Sequence, residues 1–335
     1  MAVNLTILAG SLIIILAGAK IFTNGVEWLG KKFNLSEGAV GSVLAAVGTA
    51  MPETLVPLIA ILFGPSGTAV NVGIGAILGA PFMLSTLAFG VVGVSKVFFC
   101  RRNGNGKCIE VKNTILMRDL KYFLFFYTLA LAAAFIPLSY QAAKIPVALV
   151  LVAGYIYYVN KTLSDGKGLS ETDLEPLYLA KKNPCPPLLT ILAQTAAGLV
   201  LIASGAHYFV GALDLLATVV MIPALLLSLI ITPIATELPE KFNSVIWVKG
   251  GKDTLAMGNI TGAMVFQGSI LPAVGILFTP WLLNQIAALS ALLALLSSTI
   301  VYLFVRKQKQ LKVAVMLYPV AIYGIFIFLV FTTLL

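Results

Sequence analysis

GTAMPE, residues Gly48 to Glu53, stands inside a long apolar stretch, AVGSVLAAVGTAMPETLVPLIAILF (39–63). A carboxylate and a helix-breaking proline lie side by side where an uninterrupted apolar helix is expected. No basic residue of the stretch neutralises Glu53. An ionisable group inside a membrane helix is costly and marks a functional site by default. Proline removes a backbone donor and releases carbonyls of the preceding turn. In lipid such carbonyls need partners, unless they line a cavity or bind an ion.

The rest of the chain supports a membrane setting. Of 335 residues, 59% are hydrophobic and only 10% charged, with mean hydropathy +1.00. A soluble chain of this length cannot bury so much apolar surface, so the composition predicts an all-α integral membrane protein whose first partner is the lipid bilayer. The net charge of +9 does not point to nucleic acid, because the basic residues sit in short loops between spans. The N-terminal apolar stretch lacks a basic leader and reads as a first transmembrane helix. Cys100, Cys108 and Cys185 fall in segments expected in the cytosol, where reduced thiols are the default.

Ten apolar segments are expected to cross, at about 3–30, 38–63, 69–99, 118–136, 144–162, 187–212, 219–247, 253–279, 281–304 and 312–334. The odd-numbered connections hold almost all the Lys and Arg, and the even ones offer only Lys144. The positive-inside rule then places the odd loops in the cytosol and both termini outside, in the cell membrane. The fifth loop, 163–186, is the longest and most polar, and separates residues 1–162 from 187–335.

The two halves repeat. ITPIATELPE (231–240) echoes AVGTAMPE, and GAHYFVGALDLL (205–216) echoes GAKIFTNGVEWL (18–29), all at an offset of 187 residues. The offset maps Glu53 onto Glu240, Lys20 onto His207 and Glu27 onto Asp214. With five spans per half, the halves have opposite orientation. Two inverted five-helix repeats with interrupted helices place a binding site at the midplane. Two symmetric breaks would gather carbonyl oxygens, the hydroxyls of Thr49 and Thr236, and the carboxylates of Glu53 and Glu240. Hard cations such as Ca²⁺ and Na⁺ prefer such an all-oxygen set. The purely structural alternative is a protonated glutamate hydrogen-bonded to a neighbouring helix.

GTAMPE and ATELPE resemble the α-repeat motifs of the cation/Ca²⁺ antiporter superfamily, with the Na⁺/Ca²⁺ exchanger branch and its GTSLPE motif the nearest. GIGAILGAPFML (73–84) and GNITGAMVFQ (258–267) resemble that family's following segment, written GNxxGSxxxN. The resemblance implies ion-ligand roles for Glu53, Glu240, Thr49 and Thr236, with backbone carbonyls near Ala46 and Pro233 as lesser candidates. It implies a single chain sufficient for transport, and a sliding gate formed by the first and sixth helices, which carry Lys20 and His207.

The departures from the motif are specific. The motif serine is Ala50 in the first repeat and Glu237 in the second. The Asn and Ser of the following segment are Ala76, Ala80 and Leu84 in the third helix. In the eighth, Asn259 is kept, Ala263 replaces Ser, and Gln267 stands where Asn or Asp is usual. These changes remove oxygen ligands associated with Na⁺ and leave the two-glutamate divalent site. Glu237 is an extra carboxylate with Lys241 four residues later, the spacing at which side chains meet on a helix. Lys241 either neutralises Glu237 or snorkels to the interface, leaving Glu237 as a further ion or proton ligand. His207 can titrate near neutral pH and is a candidate for proton coupling. Asn243 and Ser244 are lesser site candidates, since small polar residues also serve helix packing.

The expected function is secondary antiport of Ca²⁺ against Na⁺ or H⁺ by alternating access, in the direction of Ca²⁺ export. Antiport of Mn²⁺ or Mg²⁺ is the alternative within transport, and a passive cation channel the alternative outside it. No HExxH or cysteine–histidine set is present, so neither an enzyme nor a bound cofactor is expected.

Overall fold

The structure is a computed structural model that describes residues 2–33, 50–64, 68–100, 108–109, 111, 113–165 and 175–334. Ala46 and Thr49 lie outside the described residues, as do the side chains of Glu240 and Asn243. Among the described residues everything regular is helical, apart from a short antiparallel ribbon of β1 (Cys108–Ile109) and β2 (Leu311–Lys312). Among the described residues seven helical runs are long and apolar enough to cross a membrane: 3–32, 69–99, 138–162, 188–220, 256–278, 285–308 and 313–330.

Two long helices, α1 (Ala2–Lys32) and α7 (Leu188–Val220), pack along each other. Close approach of their backbones depends on glycine. A Cβ on Gly18 would sit 2.9 Å from the Ile202 nitrogen and 3.0 Å from the Gly198 carbonyl oxygen. A Cβ on Gly205 would sit 2.8 Å from Ile15 and 3.0 Å from the Ser11 carbonyl oxygen. Each member of the first set maps onto the second at the 187-residue offset, so the interface is reciprocal. Small residues that let backbones touch are the usual basis of helix association in lipid, where no hydrophobic drive operates between helices.

The remaining helices are α2 (Met51–Phe63), α3 (Ala69–Met83), α4 (Phe89–Cys100), α5 (Asn113–Ala133), α6 (Lys144–Asp165), α8 (Ala224–Thr236), α9 (Leu238–Lys249), α10 (Asp253–Gln267), α11 (Ile270–Phe278), α12 (Gln285–Gln308) and α13 (Val313–Leu334). A π-helical turn, Leu84–Ala88, joins α3 to α4. The buried apolar side chains fall into two main clusters. One gathers Ile15, Phe22, Ile202 and Phe209 of the α1/α7 pair with Val56 and Ile59 of α2. The larger one includes Ile77, Phe82, Phe123, Met264 and Trp281 and unites α3 with the helices behind it. The α1/α7 pair thus shares its core with α2 and the start of α3, in front of the larger cluster.

Several boundaries differ from the expected segments. The sixth segment runs on to Val220, because its end is set by Met221 in the left-handed conformation (φ 54°), with Pro223 beyond it. The seventh is interrupted at Glu237 and the eighth at Gly268–Ser269. The ninth begins at Gln285, where Asn284 caps the helix by accepting from the Ala287 amide at 2.8 Å. Lys144, the one lysine of an even connection, is buried and donates to the Pro280 carbonyl at 2.7 Å. It neutralises carbonyl dipoles inside the protein, which accounts for its place outside the positive-inside pattern.

Part of the fifth loop docks on the α1/α7 pair. The Glu175 carbonyl accepts from Trp28 Nε1 at 2.9 Å and from Asn24 Nδ2 at 3.2 Å. Gln194 of α7 accepts from the Leu179 amide at 2.9 Å and donates to Asn24 Oδ1 at 2.8 Å. Leu177 is buried with Trp28 and Ile191 beneath it. Tyr178 donates to Glu175 Oε2 at 2.8 Å; this bond and burial push the phenol above its usual range.

Candidate ion-binding site

Two helix starts share one backbone conformation. Ala50 precedes α2 with φ −81° and ψ 6°, and Glu237 precedes α9 with φ −88° and ψ 6°. A proline follows two residues later in each, within the first helical turn, where its missing amide donor costs nothing. The carbonyl of Ala50 accepts from the Thr54 amide, and that of Glu237 from the Lys241 amide, both at 3.2 Å. Glu53 thus sits in the first turn of α2 and Glu240 in the equivalent turn of α9. The partial positive charge of a helix N-terminus favours a carboxylate there. Glu53 is 2% exposed.

Helix α3 packs against both α2 and α8, the helices on either side of these two positions. It also packs against α10 and α12, and α2 touches α8. Gly75 and Gly79 form the α3 face toward α8; a Cβ on Gly79 would lie 2.2 Å from the Leu229 carbonyl oxygen and 2.6 Å from Pro233 Cγ. A stripe of hydroxyls runs down α8 along the same contact. Ser228 donates to the Val72 carbonyl of α3 at 2.6 Å and lies 3.0 Å from Thr232 Oγ1. Thr236 donates to the Thr232 carbonyl at 3.0 Å and is 1% exposed. The i, i+4 spacing of Ser228, Thr232 and Thr236 carries this stripe in the sequence, where only Thr236 was singled out.

The other predicted residues divide by location. Gln267 ends α10, is fully buried, and has no hydrogen-bond partner among the described residues at either amide atom. Asn259, two turns earlier, is half-buried, its Nδ2 without a partner among the described residues. Both are amides able to offer oxygen to a cation. Pro233 is buried inside α8 at the contact with Gly79. Ser244 donates to the Ala256 carbonyl at 3.4 Å and serves packing between α9 and α10. His207 is exposed on α7 beside Tyr208, ring centroids 5.7 Å apart, and Lys20 is exposed on α1 with its ammonium 5.7 Å from the Tyr178 ring. Ala76, Ala80, Leu84 and Ala263 are all buried, so apolar side chains fill the places where the motif has Asn or Ser.

Glu237 is fully buried, and Lys241 Nζ lies 3.1 Å from its Oε2. The same ammonium is 2.8 Å from Met83 Sδ at the end of α3. The lysine therefore folds back along α9 toward Glu237.

Two buried charged contacts escaped the sequence reading. Asp119 of α5 accepts from Tyr158 at 3.0 Å, from Thr261 at 2.8 Å and from Arg118 at 3.2 Å, tying α5, α6 and α10. Lys96 of α4 pairs with Asp253 at the start of α10. The signal for the first was Asp119 at the head of an apolar segment.

A helical bundle of long apolar helices with carboxylates buried inside it defines a multi-pass membrane protein. The model of the family described as "Sodium/calcium exchanger protein" matches residues 3–160 and 190–332, and the chain belongs to that family. It is thereby an antiporter of the cation/Ca²⁺ superfamily and not an enzyme. The chain is 24% identical over 285 residues to the "Putative antiporter CaxA" of Alkalimonas amylolytica, covering 83% of this chain and 81% of that one. Its fold is similar to that of the H⁺/Ca²⁺ exchanger CAX (TM-score 0.73, 18% identity, 98% of this chain and 87% of that one). It is also similar to the sodium-calcium exchanger NCX_Mj (TM-score 0.61, 22% identity, 98% of both chains).

Proposed function

We propose that this protein is a secondary antiporter that exchanges Ca²⁺ for Na⁺ or H⁺ by alternating access and exports Ca²⁺ across the cell membrane. The observation that carries the reading is the matched pair of helix starts, which sets Glu53 and Glu240 in equivalent first turns. In this reading ten spans form two inverted repeats, 1–162 and 187–335, joined by a cytosolic loop at 163–186, with both termini outside. The reciprocal α1/α7 interface supports the repeat. Ca²⁺ binds between Glu53 and Glu240, with oxygen from Thr49 and Thr236 and from the amide of Gln267. Monovalent cations neutralise the same carboxylates in the return step. Sharing the carboxylates makes the ions mutually exclusive, and an unneutralised site is too costly to pass a closed apolar gate. One chain suffices for this cycle.

The buried Ala80, Leu84 and Ala263 favour H⁺ over Na⁺ as the return ion, since they supply no oxygen. The test is uptake of radioactive Ca²⁺ into proteoliposomes under a Na⁺ gradient or a pH gradient, imposed separately. Uptake under either gradient that is lost in Glu53→Gln supports the reading and names the return ion. Flux of Mn²⁺ or Mg²⁺ without Ca²⁺ would reassign the cargo. Conductance without countertransport would replace the antiporter with a channel.

A further inference from the structure

Helix α9 carries two charges at its start whose roles the exchange cycle leaves open. Glu237 is fully buried and Lys241 nearly so, with side-chain exposures of 0% and 13% and a separation of 3.1 Å. Lys241 sits one helical turn after Glu237, so the two side chains meet on one face at the start of α9. The contact of its ammonium with Met83 Sδ fixes it against α3. Phe82, next to Met83, stacks on Tyr323 of α13 at 5.3 Å and closes that side with aromatic surface. A buried ammonium held between a carboxylate and a thioether is well placed to act as a permanent counter-charge.

Counted by residue type, the carboxylates of Glu53, Glu237 and Glu240 and the ammonium of Lys241 leave two net negative charges. One Ca²⁺ neutralises them, and so do two monovalent cations. We propose that the Lys241 ammonium is a fixed counter-charge to Glu237, so that the exchange carries two monovalent cations per Ca²⁺ and no net charge. This inference rests on the exchange reading above and specifies its stoichiometry. The buried apolar residues at the Asn and Ser positions of the motif agree with it, because fewer mobile ions need fewer oxygen ligands. Without Lys241, the carboxylate of Glu237 requires a mobile cation in its stead, whether Na⁺ or H⁺.

The experiment measures steady-state Ca²⁺ accumulation in proteoliposomes at a fixed driving-ion gradient, with the membrane potential clamped by K⁺ and valinomycin. A wild-type exchanger that moves no net charge gives the same accumulation at zero and at roughly 100 mV, whereas one net charge per cycle shifts it about fiftyfold. Lys241→Met is expected to gain that shift, and Lys241→Arg to remain insensitive to potential. Glu237→Gln/Lys241→Met, which removes both charges, is expected to lose the shift again and shows that the single variant acts through Glu237. A potential-dependent wild type overturns the proposal. So does Lys241→Met exchange that is as insensitive as the wild type. If Lys241→Met fails to fold, the double variant and the wild type decide: a potential-dependent double variant refutes the charge count. Absence of Ca²⁺ flux from the wild type under both gradients would sink the exchange reading itself, a result distinct from any of these.

Discussion

Ala50 and Glu237, 187 residues apart, stand at the same turn of the same structure: each precedes a proline-containing first turn with nearly identical φ and ψ, and each gives its carbonyl to the amide four residues on. One is a methyl group and the other a buried carboxylate. The scaffold is thus repeated while its chemistry is not, and the asymmetry sits beside the two glutamates expected to hold the ion.

Replacing either glutamate should remove transport. Glu53→Gln and Glu240→Gln each keep the shape and delete the charge. Both are expected to lower Ca²⁺ flux by more than about tenfold, since even indirect partners of a metal commonly contribute that much. The readout is proteoliposome uptake, with gel-filtration profiles as the fold control. Near-wild-type flux in Glu240→Gln would dissociate the second break from the site.

Returning the missing oxygen atoms should strengthen Na⁺ coupling. Leu84→Asn and Ala263→Ser place amide and hydroxyl groups where buried apolar side chains now stand. The expected outcome is a higher Na⁺-driven Ca²⁺ flux than in the wild type at the same gradient. Unchanged Na⁺ dependence would mean that these positions do not face the ion path.

The reciprocal interface predicts reciprocal costs. Gly18→Val and Gly205→Val each drive a branched side chain into the backbone of the partner helix. Each should lose roughly 1–3 kcal/mol, the range for overpacking, seen as a matched fall in melting temperature in detergent. A large loss for one and none for the other would show that the two contacts are not equivalent.

Asp119 is expected to be structural. Asp119→Ala leaves the Tyr158 hydroxyl buried without its acceptor, at about 1–3 kcal/mol, while Thr261 keeps the Met257 carbonyl. The melting temperature should fall while the ratio of Na⁺-driven to pH-driven Ca²⁺ flux stays constant. A change in that ratio would bring Asp119 into the transport path.

Trp28→Phe deletes one donor to the Glu175 carbonyl and keeps most of the ring packing. A hydrogen bond of net worth about 0.5–1.5 kcal/mol corresponds to a two- to tenfold change in opening. Trypsin cleavage after Lys181 or Lys182, followed by mass spectrometry, should accelerate by that factor.

The helix starts at Met51 and Leu238 were legible because proline and glutamate are conspicuous in apolar sequence, and the reciprocal α1/α7 contact because Gly18 and Phe22 recur in register at Gly205 and Phe209. The Glu237–Lys241 pair followed from helical spacing alone. Other features depend on neighbours distant in the chain. Nothing local marks Leu84–Ala88 as a π-helical turn; there Ser297 of α12 donates to the Ser85 carbonyl, a contact fixed only by packing. The partners of Asp119 are 39 and 142 residues away in sequence. Lys144 reads as a stray loop charge until the Pro280 carbonyl is placed over it. Thr49 and Ala46, both named as candidates, lie outside the described residues.

The docking of Glu175–Leu179 on Asn24, Trp28 and Gln194 has a practical corollary. Asn183 holds the turn that follows by accepting from the Cys185 amide at 3.0 Å, and the Cys185 thiol is exposed just before α7 begins. A fluorescent dye attached there, with Cys100 and Cys108 replaced, rides on the α1/α7 pair as a rigid flag. Energy transfer from that dye to a second one on α12 would report, molecule by molecule, any movement of the α1/α7 pair against the helices behind it.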